Sequence, residues 1–294
     1  MSVEVVREET WDFPLGDPSN RYRVRVNGYE LLIDAGARPL DDGIRADFIL
    51  VTHWHWDHTY GLSSITKGGV CMSKATLESL NPGRAWESMV RVARAVGLGN
   101  EVEAIRLMNS FMAKYTAVEN AISRLEVYML DECPPIRKGV VEYLSCPGHS
   151  NDHVCYLVGD HLFVGDNILS SSSTVTLTDL TRYNESMIRI LANTQWLTAY
   201  PGHGKPLSRS ESLEWFLNHH KHKTRRLLQV LSWIPRDSWV TLKEVMKLVY
   251  NTGDNIAMYV AARTLIGYIN ALEAMEIVEV DRSAAPWKLK IRSE

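Results

Sequence analysis

Four side chains that can bind a metal ion lie within six residues of one another, in the segment "VTHWHWDHTYGL" from Val51 to Leu62. They are His53, His55, Asp57 and His58. Histidine and aspartate are common ligands of zinc and related ions, and an H-x-H-x-D-H spacing rarely arises by chance. The hydrophobic stretch "ADFILVTH" leading into the motif is typical of a buried strand, so the sequence predicts a metal-binding loop at a strand end.

Three further candidate ligands also follow apolar segments that resemble strands. His149 comes after "VVEYLS", Asp166 ends "HLFVGD", and His203 follows "WLTAY". A single histidine or aspartate in a turn is more often structural, but a hydrolytic metal pair needs three or more protein ligands per ion. Together with the intact motif, these residues favour a metal site with two ions. We leave His153 and His161 out of the predicted set.

Size and composition are those of an ordinary soluble protein. The chain has 294 residues, of which 45% are hydrophobic and 23% charged, which is enough for one large domain and a small one. The start "MSVEVVREETWDF" lacks the basic and apolar regions of a signal peptide, and no run reaches the roughly 18 apolar residues of a membrane span. We therefore expect an intracellular, cytoplasmic protein without membrane contact.

The cysteines and the net charge exclude few classes of function. Cys71, Cys133, Cys146 and Cys155 form no C-x-x-C pair, so buried thiols are expected, and a disulfide is allowed but not indicated. A net charge of −3 gives no overall case for nucleic-acid binding. From Lys205 to the C-terminus, however, 14 Lys and Arg stand against 10 Asp and Glu, which is a mild local basic excess.

The sequence pattern of the first two thirds of the chain predicts strands interrupted by a helical segment. Asn27-Gly28 and Gly159-Asp160 each separate two apolar or alternating runs and predict β-hairpins. Between residues 74 and 126 apolar residues recur every three or four positions, which predicts helices. We expect this helical insertion to pack over the strands, with a lid over the site as the alternative.

The last third predicts a separate unit, residues 208–294, after a catalytic domain of residues 1–207. Ser208-x-x-Glu211 and Thr241-x-x-Glu244 are capping-box patterns that begin two helices, and a third helix and a hairpin follow. Three helices closed by a two-stranded ribbon indicate a winged-helix-like domain. Its third helix offers Arg263 against two glutamates, so packing or substrate clamping is favoured over reading a DNA groove.

The first helix of that unit carries the basic segment "HHKHKTRR", residues 219–226. Such a run is usually a solvated helix face. Because it closely follows a predicted metal ligand, its cations are also candidates for holding an anionic substrate. These candidate substrate-binding residues are Lys221, Lys223, Arg225 and Arg226.

The seven candidate ligands resemble those of the metallo-β-lactamase superfamily over about residues 20–207. The resemblance implies an α/β fold, an αββα sandwich with a metal pair at one edge of its sheets. It implies that His53, His55 and His149 hold one zinc ion, that Asp57, His58 and His203 hold the other, and that Asp166 bridges them. Iron or manganese can occupy similar sites. Water activated by the metal pair would be the nucleophile, which explains the absence of a persuasive Ser-His-Asp or Cys-His arrangement, and Asp57 would be catalytic by orienting it.

Two classes of hydrolase fit these ligands. The aspartate at 166 argues against true β-lactamases, and His55 argues against the flavodiiron branch. The stretch "STVTLTDLTRYNESM" and the tail are similar to the β-lactamase-like protein 2 family, which implies an endoribonuclease acting on single-stranded RNA. Winged-helix-like tails also occur on thioesterases, so a glyoxalase II or acyl-carrier type of enzyme with a small thioester substrate is the alternative.

A protein that binds nucleic acid or a partner without catalysis is the third hypothesis. It is disfavoured because a binding module has no need of a bridging acid and an open hydrolytic site. The sequence therefore predicts a dinuclear zinc hydrolase, with single-stranded RNA as the leading substrate.

Overall fold

The structure is a computed structural model, and it describes residues 2–11, 17–40, 45–98, 102–170, 174, 180–250 and 255–293. Part of the "STVTLTDLTRYNESM" stretch lies outside these residues. Within the described part no helix is both long and apolar enough to cross a lipid bilayer.

Fourteen strands are found in the described chain. In order they are β1 Val3–Trp11, β2 Ser19–Val26, β3 Tyr29–Ile33, β4 Phe48–Leu50, β5 Gly69–Met72, β6 Glu126–Met129, β7 Glu142–Ser145, β8 Val154–Val158, β9 His161–Gly165, β10 Thr198–Pro201, β11 Leu207–Ser208, β12 Val240–Thr241, β13 Val278–Asp281 and β14 Lys288–Ile291.

Nine α-helices are described, besides two 3-10 turns at Tyr60–Ser64 and Leu130–Glu132. They are α1 Trp56–Thr59, α2 Lys74–Ser79, α3 Pro82–Ala95, α4 Val102–Ile122, α5 Pro134–Arg137, α6 Leu180–Ala192, α7 Arg209–Ser232, α8 Leu242–Val249 and α9 Asn255–Ala274.

The strands form two large sheets and one small one. The first sheet has the order β1-β2-β3-β4-β5-β6, antiparallel up to β3 and parallel from β3 to β6. The second has the order β11-β10-β9-β8-β7, with β9 and β10 parallel. The small sheet, β12-β14-β13, belongs to the C-terminal part.

Side chains alternate between two apolar layers along the central strands. On β3, Leu31 and Ile33 face the second sheet, where Tyr156 and Phe163 lie, while Leu32 faces the helices. Because neighbouring strand residues point to opposite faces, each sheet buries one face against the other sheet and one against helices. This arrangement confirms the predicted α/β fold with two sheets between layers of helices.

Most predicted elements are confirmed. Hairpins turn at Asn27-Gly28 and at Gly159-Asp160, and helices fill residues 74–79, 82–95 and 102–122 of the predicted insertion. Both capping boxes are present, with Ser208 capping α7 and Thr241 capping α8. Three helices and a short sheet follow residue 208, while the winged-helix assignment and the division into two domains stay predictions.

The cysteines differ from the expectation of buried thiols. Cys71 is disulfide-bonded to Cys133, and Cys146 to Cys155. The reason is topological, because β5 and the turn before α5 meet between the sheets and β7 pairs with β8. Cys71 and Cys133 lie 62 residues apart, and contacts at such a separation leave no spacing signal in the sequence.

Candidate metal centre

All seven predicted ligands lie where strands end, as the sequence predicts. His53 follows β4, and the motif continues into α1, which carries Asp57 and His58. Asp166 comes directly after β9, while His149 and His203 follow β7 and β10 within a few residues. Since β4 belongs to the first sheet and the others to the second, the cluster forms where the two sheets meet at one edge.

A first group of donor atoms comprises three imidazoles and one carboxylate. His55 Nδ1 lies 2.9 Å from both His53 Nε2 and His149 Nε2. Asp166 Oδ2 lies 3.4 Å from His149 Nε2 and 4.0 Å from His53 Nε2. All four side chains are buried, and their donor atoms lie within 4.8 Å of one another.

A second group adjoins the first and shares Asp166 with it. His203 Nε2 lies 3.2 Å from Asp57 Oδ2, and His58 Nε2 lies 3.7 Å from the same oxygen. Asp166 reaches this group as well, with Oδ1 3.3 Å from His58 Nε2 and Oδ2 3.5 Å from His203 Nε2. Asp57 and His203 are partly exposed, so the centre opens to solvent on this side.

The donor set fits a pair of cations. Ring nitrogens that face one another at 2.9 Å repel unless a proton or a cation lies between their lone pairs. His58 Nε2 and Asp166 Oδ1 are buried without a hydrogen-bond partner among the described residues. Buried polar atoms are nearly always satisfied, so metal ions are the natural partners of this cluster.

Most of the histidines have a second ring nitrogen held by a neighbouring oxygen, which fixes the ring orientation as in metal sites generally. These contacts join His53 Nδ1 to Thr52 Oγ1 at 3.0 Å, His58 Nδ1 to Asp34 Oδ2 at 2.8 Å, His149 Nδ1 to Thr174 Oγ1 at 3.2 Å and His203 Nδ1 to the Asp17 carbonyl at 2.9 Å. Asp34 also accepts from the Thr52 backbone N–H and hydroxyl, so one carboxylate holds both the loop and a candidate ligand.

His55 differs, because a cation faces its second nitrogen. Arg263 Nη2 on α9 donates to His55 Nε2 over 2.9 Å. Guanidinium groups cannot accept, so His55 Nε2 is the acceptor in this contact. Burial and the Arg263 charge hold the pKa of His55 well below its usual value.

The two groups differ in how they hold protons. Burial keeps the pKa of His53 well below its usual value, so its ring is neutral and its lone pair available. Burial also opposes charge on His203, but Asp166 and Asp57 outweigh it and raise the His203 pKa to about 10. The pKa of His58 is likewise raised, chiefly by Asp166. In the second group, protons therefore balance the carboxylates when no metal is bound.

Gly202 allows the two sheets to approach at the centre. A Cβ atom at this position would lie 2.3 Å from Asp166 Oδ1 and 2.6 Å from His58 Cε1. The Gly202 N–H donates to the Gly165 carbonyl over 2.7 Å, which ties the His203 loop to the end of β9, directly before Asp166. A side chain here would push two candidate ligands apart.

His153 and His161, left out of the predicted set, lie outside both groups. His153 is buried and stacks on His53 with 4.9 Å between ring centroids, and its Nε2 accepts from the Asp166 backbone N–H. Its donor atoms instead lie near Cys146 and Cys155, which are bonded to each other. His161 lies away from the cluster, beside Asp160 and Tyr200.

The candidate substrate-binding residues on α7 do not share one surface. Lys221 and Arg225 are exposed, whereas Lys223 is only 2% exposed and donates to the Thr174 carbonyl over 2.6 Å. Burial lowers the pKa of Lys223 to about 7. Arg226 donates to the Val249 carbonyl and packs over Tyr250. The structure does not place Lys223 where a substrate could reach it.

Sequence reasoning missed Asp34 and Thr174, and it named Arg263 on the third tail helix without predicting its contact with His55. Asp34 follows β3, so the rule that found the ligands, a polar residue directly after an apolar strand, could also have found it. Thr174 and Arg263 lie 25 and 208 residues from the histidines they contact and carry no local signal.

The comparisons with known proteins agree with this geometry. The sequence profile of the Metallo-beta-lactamase superfamily matches residues 15–203. The chain is 24% identical over 280 residues to "Beta-lactamase-like protein 2 homolog" of Drosophila melanogaster, covering 90% of this chain and 86% of that protein. It is 26% identical over 192 residues to "Lactamase-like protein nscB" of Trichophyton rubrum, covering 64% of this chain and 47% of that protein. The chain thus spans about half the length of such fungal relatives.

A solved structure shows the same fold. The crystal structure of a metallo-beta-lactamase family protein from Thermus thermophilus superposes with a TM-score of 0.69 at 18% identity. The superposition covers 99% of this chain and 98% of that one, so it includes the C-terminal part.

Proposed function

Because the chain belongs to the metallo-beta-lactamase superfamily of metal-dependent hydrolases, we propose that it is a dinuclear zinc-dependent endoribonuclease that cleaves single-stranded RNA. The observation that carries the hydrolase part is the division of seven donor side chains into two adjacent groups that share Asp166. Hydrolysis of a phosphodiester by two metal ions needs this arrangement, because both the attacking and the leaving oxygen require charge stabilisation.

We assign the seven side chains to two ions. His53, His55 and His149 would hold the first ion and Asp57, His58 and His203 the second, with Asp166 between them. Five of these seven ligands are imidazoles, which favour zinc, while iron and manganese are the alternatives for the same donor set. When bound, the ions make a water molecule acidic enough to attack near neutral pH and stabilise charge on the phosphoryl oxygens.

The side chains then divide the remaining work. Asp57 is the carboxylate on the open side of the centre, so it can accept a hydrogen bond from the attacking water and aim it at the phosphorus. Asp34 holds the His58 ring through Nδ1, and Thr174 holds His149. These contacts keep the ligands in place during turnover, which preorganises the site.

Similarity along the whole chain supports RNA as the substrate. The Drosophila relative matches 90% of this chain and 86% of its own length, so the similarity extends into the tail. The resemblance to the β-lactamase-like protein 2 family implies cleavage of single-stranded RNA. The fungal relatives match over about half their own length and support the shared domain alone.

The test offers the zinc-loaded protein a labelled single-stranded RNA and, separately, an acyl-CoA thioester. We expect RNA cleavage that is lost in the Asp57→Ala, Asp166→Ala double variant and kept in Asp131→Ala, a control at an exposed carboxylate that accepts from Tyr143. Thioester hydrolysis without RNA cleavage would instead favour the thioesterase alternative, and neither activity in a metal-loaded protein would contradict both.

A further inference from the structure

A cavity adjoins the metal centre on the side of His55. Its volume is about 160 Å³, and it lies between the helical insertion and α9. Trp54 from the ligand motif lines it together with Arg84 and Arg91 of α3 and Arg263 of α9. Arg263 lines this cavity and also contacts His55, so one side chain joins the cavity to the first group of donor atoms.

A second cavity continues outward from the first. Its volume is about 460 Å³, and it lies between α3 and the loop that joins β13 to β14. Arg91 lines both cavities, and Arg94 and Arg282 line the second. A row of arginine side chains thus extends from the metal centre along α3 to the hairpin of the tail.

Three of these arginines have no acidic partner among the residues that the structure describes. Arg84 pairs with Glu78 and Arg282 with Glu273, whereas Arg91, Arg94 and Arg263 form no described ion pair. The acidic groups that face the cavities are the buried Asp152 and, in the outer cavity, Glu87. The cations therefore outnumber the acids along this path, which attracts an anionic chain.

Aromatic rings lie between the cations. Trp86 lines the outer cavity and is 36% exposed, whereas Trp287 beside it is buried under the Arg282 guanidinium. Trp54 at the inner end stacks on Tyr115. Arginines interleaved with aromatic rings are the common chemistry of single-stranded nucleic-acid sites, because cations contact phosphates while bases stack on rings. The path therefore offers both kinds of contact that a single strand needs.

We propose that Arg91, Arg94 and Arg263 form a binding track that leads single-stranded RNA from the tail hairpin to the metal centre. This inference rests on the proposed function and deepens it, because it assigns RNA binding to α3 and α9 instead of the basic segment of α7. The two exposed cations of that segment, Lys221 and Arg225, line neither cavity.

The test compares two double variants that lose the same charge. Arg91→Ala, Arg94→Ala changes the track, and Lys221→Ala, Arg225→Ala is the matched control on α7. All four residues are exposed, so both variants should fold, which circular dichroism checks. Binding of a short fluorescein-labelled oligouridylate is measured by anisotropy in EDTA, where the RNA stays intact, and cleavage is measured with zinc.

For the track variant we expect binding at least about tenfold weaker, a matching rise in KM and a kcat within about twofold. The slope of log association constant against log salt concentration should become shallower by about 1.4. Two phosphate contacts are lost, and on a single strand each contributes about 0.7 to this slope. The α7 control should bind and cleave like the wild type. Normal binding and KM in the track variant, or a loss confined to the control, would overturn the track while RNA cleavage by the wild type upholds the proposed function.

Two results separate the inference from the function on which it rests. Oligouridylate binding that depends on Arg91 and Arg94, without any cleavage, would support the track and contradict the nuclease. Thioester hydrolysis without oligouridylate binding would overturn both.

Discussion

At the scale of single residues, the centre depends on side chains that serve two neighbours at once. Asp166 faces both groups of donors, one oxygen approaching His58 and the other His149. Asp34 joins His58 to the backbone of Thr52, directly before the ligand motif. Such shared contacts make the ligands interdependent, so changing one outer residue should affect the metal more than the fold.

Changing Asp34 to Ala should weaken zinc binding and lower turnover by roughly 10- to 100-fold, the usual effect of removing a residue that orients a metal ligand. The His58 ring would lose its acceptor and the Thr52 N–H its partner. Zinc content after dialysis against a chelator measures the effect. Asp34→Asn keeps one acceptor oxygen and should be intermediate, so equal zinc retention in both variants and the wild type would contradict this role.

Zinc uptake by the second group should release protons. The pKa of His203 is raised to about 10, so between pH 7 and 9 its ring is protonated in the metal-free protein, and a cation must displace that proton. Apparent affinity should therefore rise with pH up to about 10, roughly tenfold per unit for each proton released.

Zinc titrations in buffers of different ionisation enthalpy count these protons. In His203→Ala the count should fall by about one, provided that zinc still binds. A count of zero in the wild type would show that the second group is already deprotonated.

The ligands could be predicted from the sequence because they are metal-binding residue types that follow apolar strands within a few residues. Their outer partners could not, since Arg263 and Thr174 reach the centre through tertiary packing from distant segments. Lys223 was named as a candidate substrate-binding residue because it belongs to a basic run. The structure instead buries it on the inward face of α7, which the run itself could not indicate.

At the scale of elements, the site depends on how closely strand ends approach. β9 and β10 are parallel neighbours, so Asp166 and His203 leave the second sheet at the same edge. β4 delivers His53 from the first sheet to the same place. Turn and cap residues made these elements predictable, as at Asn27-Gly28 and Ser208, because their preferences are local. The pairing between sheets is not local, and only the family resemblance indicated it.

Changing Gly202 to Ala should lower zinc content and turnover by at least about tenfold while leaving the fold cooperative. The added methyl group would meet Asp166 Oδ1 at 2.3 Å, so the carboxylate or the His203 loop must shift. Gly83→Ala in α3 is the control, because its methyl group would approach only Asn81 Oδ1, at 3.1 Å and away from the metal centre. Zinc content and melting temperature are measured together, and unchanged zinc content in Gly202→Ala would contradict the tight approach.

At the scale of the whole molecule, the tail and the catalytic part share one apolar core. Val230, Leu242 and Leu265 pack in the same cluster as Leu32 and Val51 of the sheets. Two disulfides, Cys71–Cys133 and Cys146–Cys155, cross-link the catalytic part itself. Disulfides are typical of oxidising compartments, whereas the composition and the N-terminus led us to expect a cytoplasmic protein.

The unreduced, denatured protein should therefore contain no free thiol. Alkylation followed by mass measurement checks this, and reduction should lower the free energy of unfolding by about 4 kcal/mol for the long loop that Cys71–Cys133 closes. Four alkylated cysteines before reduction would instead restore the prediction of buried thiols.

Thr174 links the tail to the metal centre through three contacts of a single residue. Its hydroxyl touches His149 and donates to the Asp166 carbonyl, while its own carbonyl accepts from Lys223 of α7. A natural variant at Lys223 would thus have a misleading phenotype. A geneticist would find a metal-deficient enzyme with every ligand intact and would search for a defect in zinc supply, although the lesion lies in a helix without a single metal ligand.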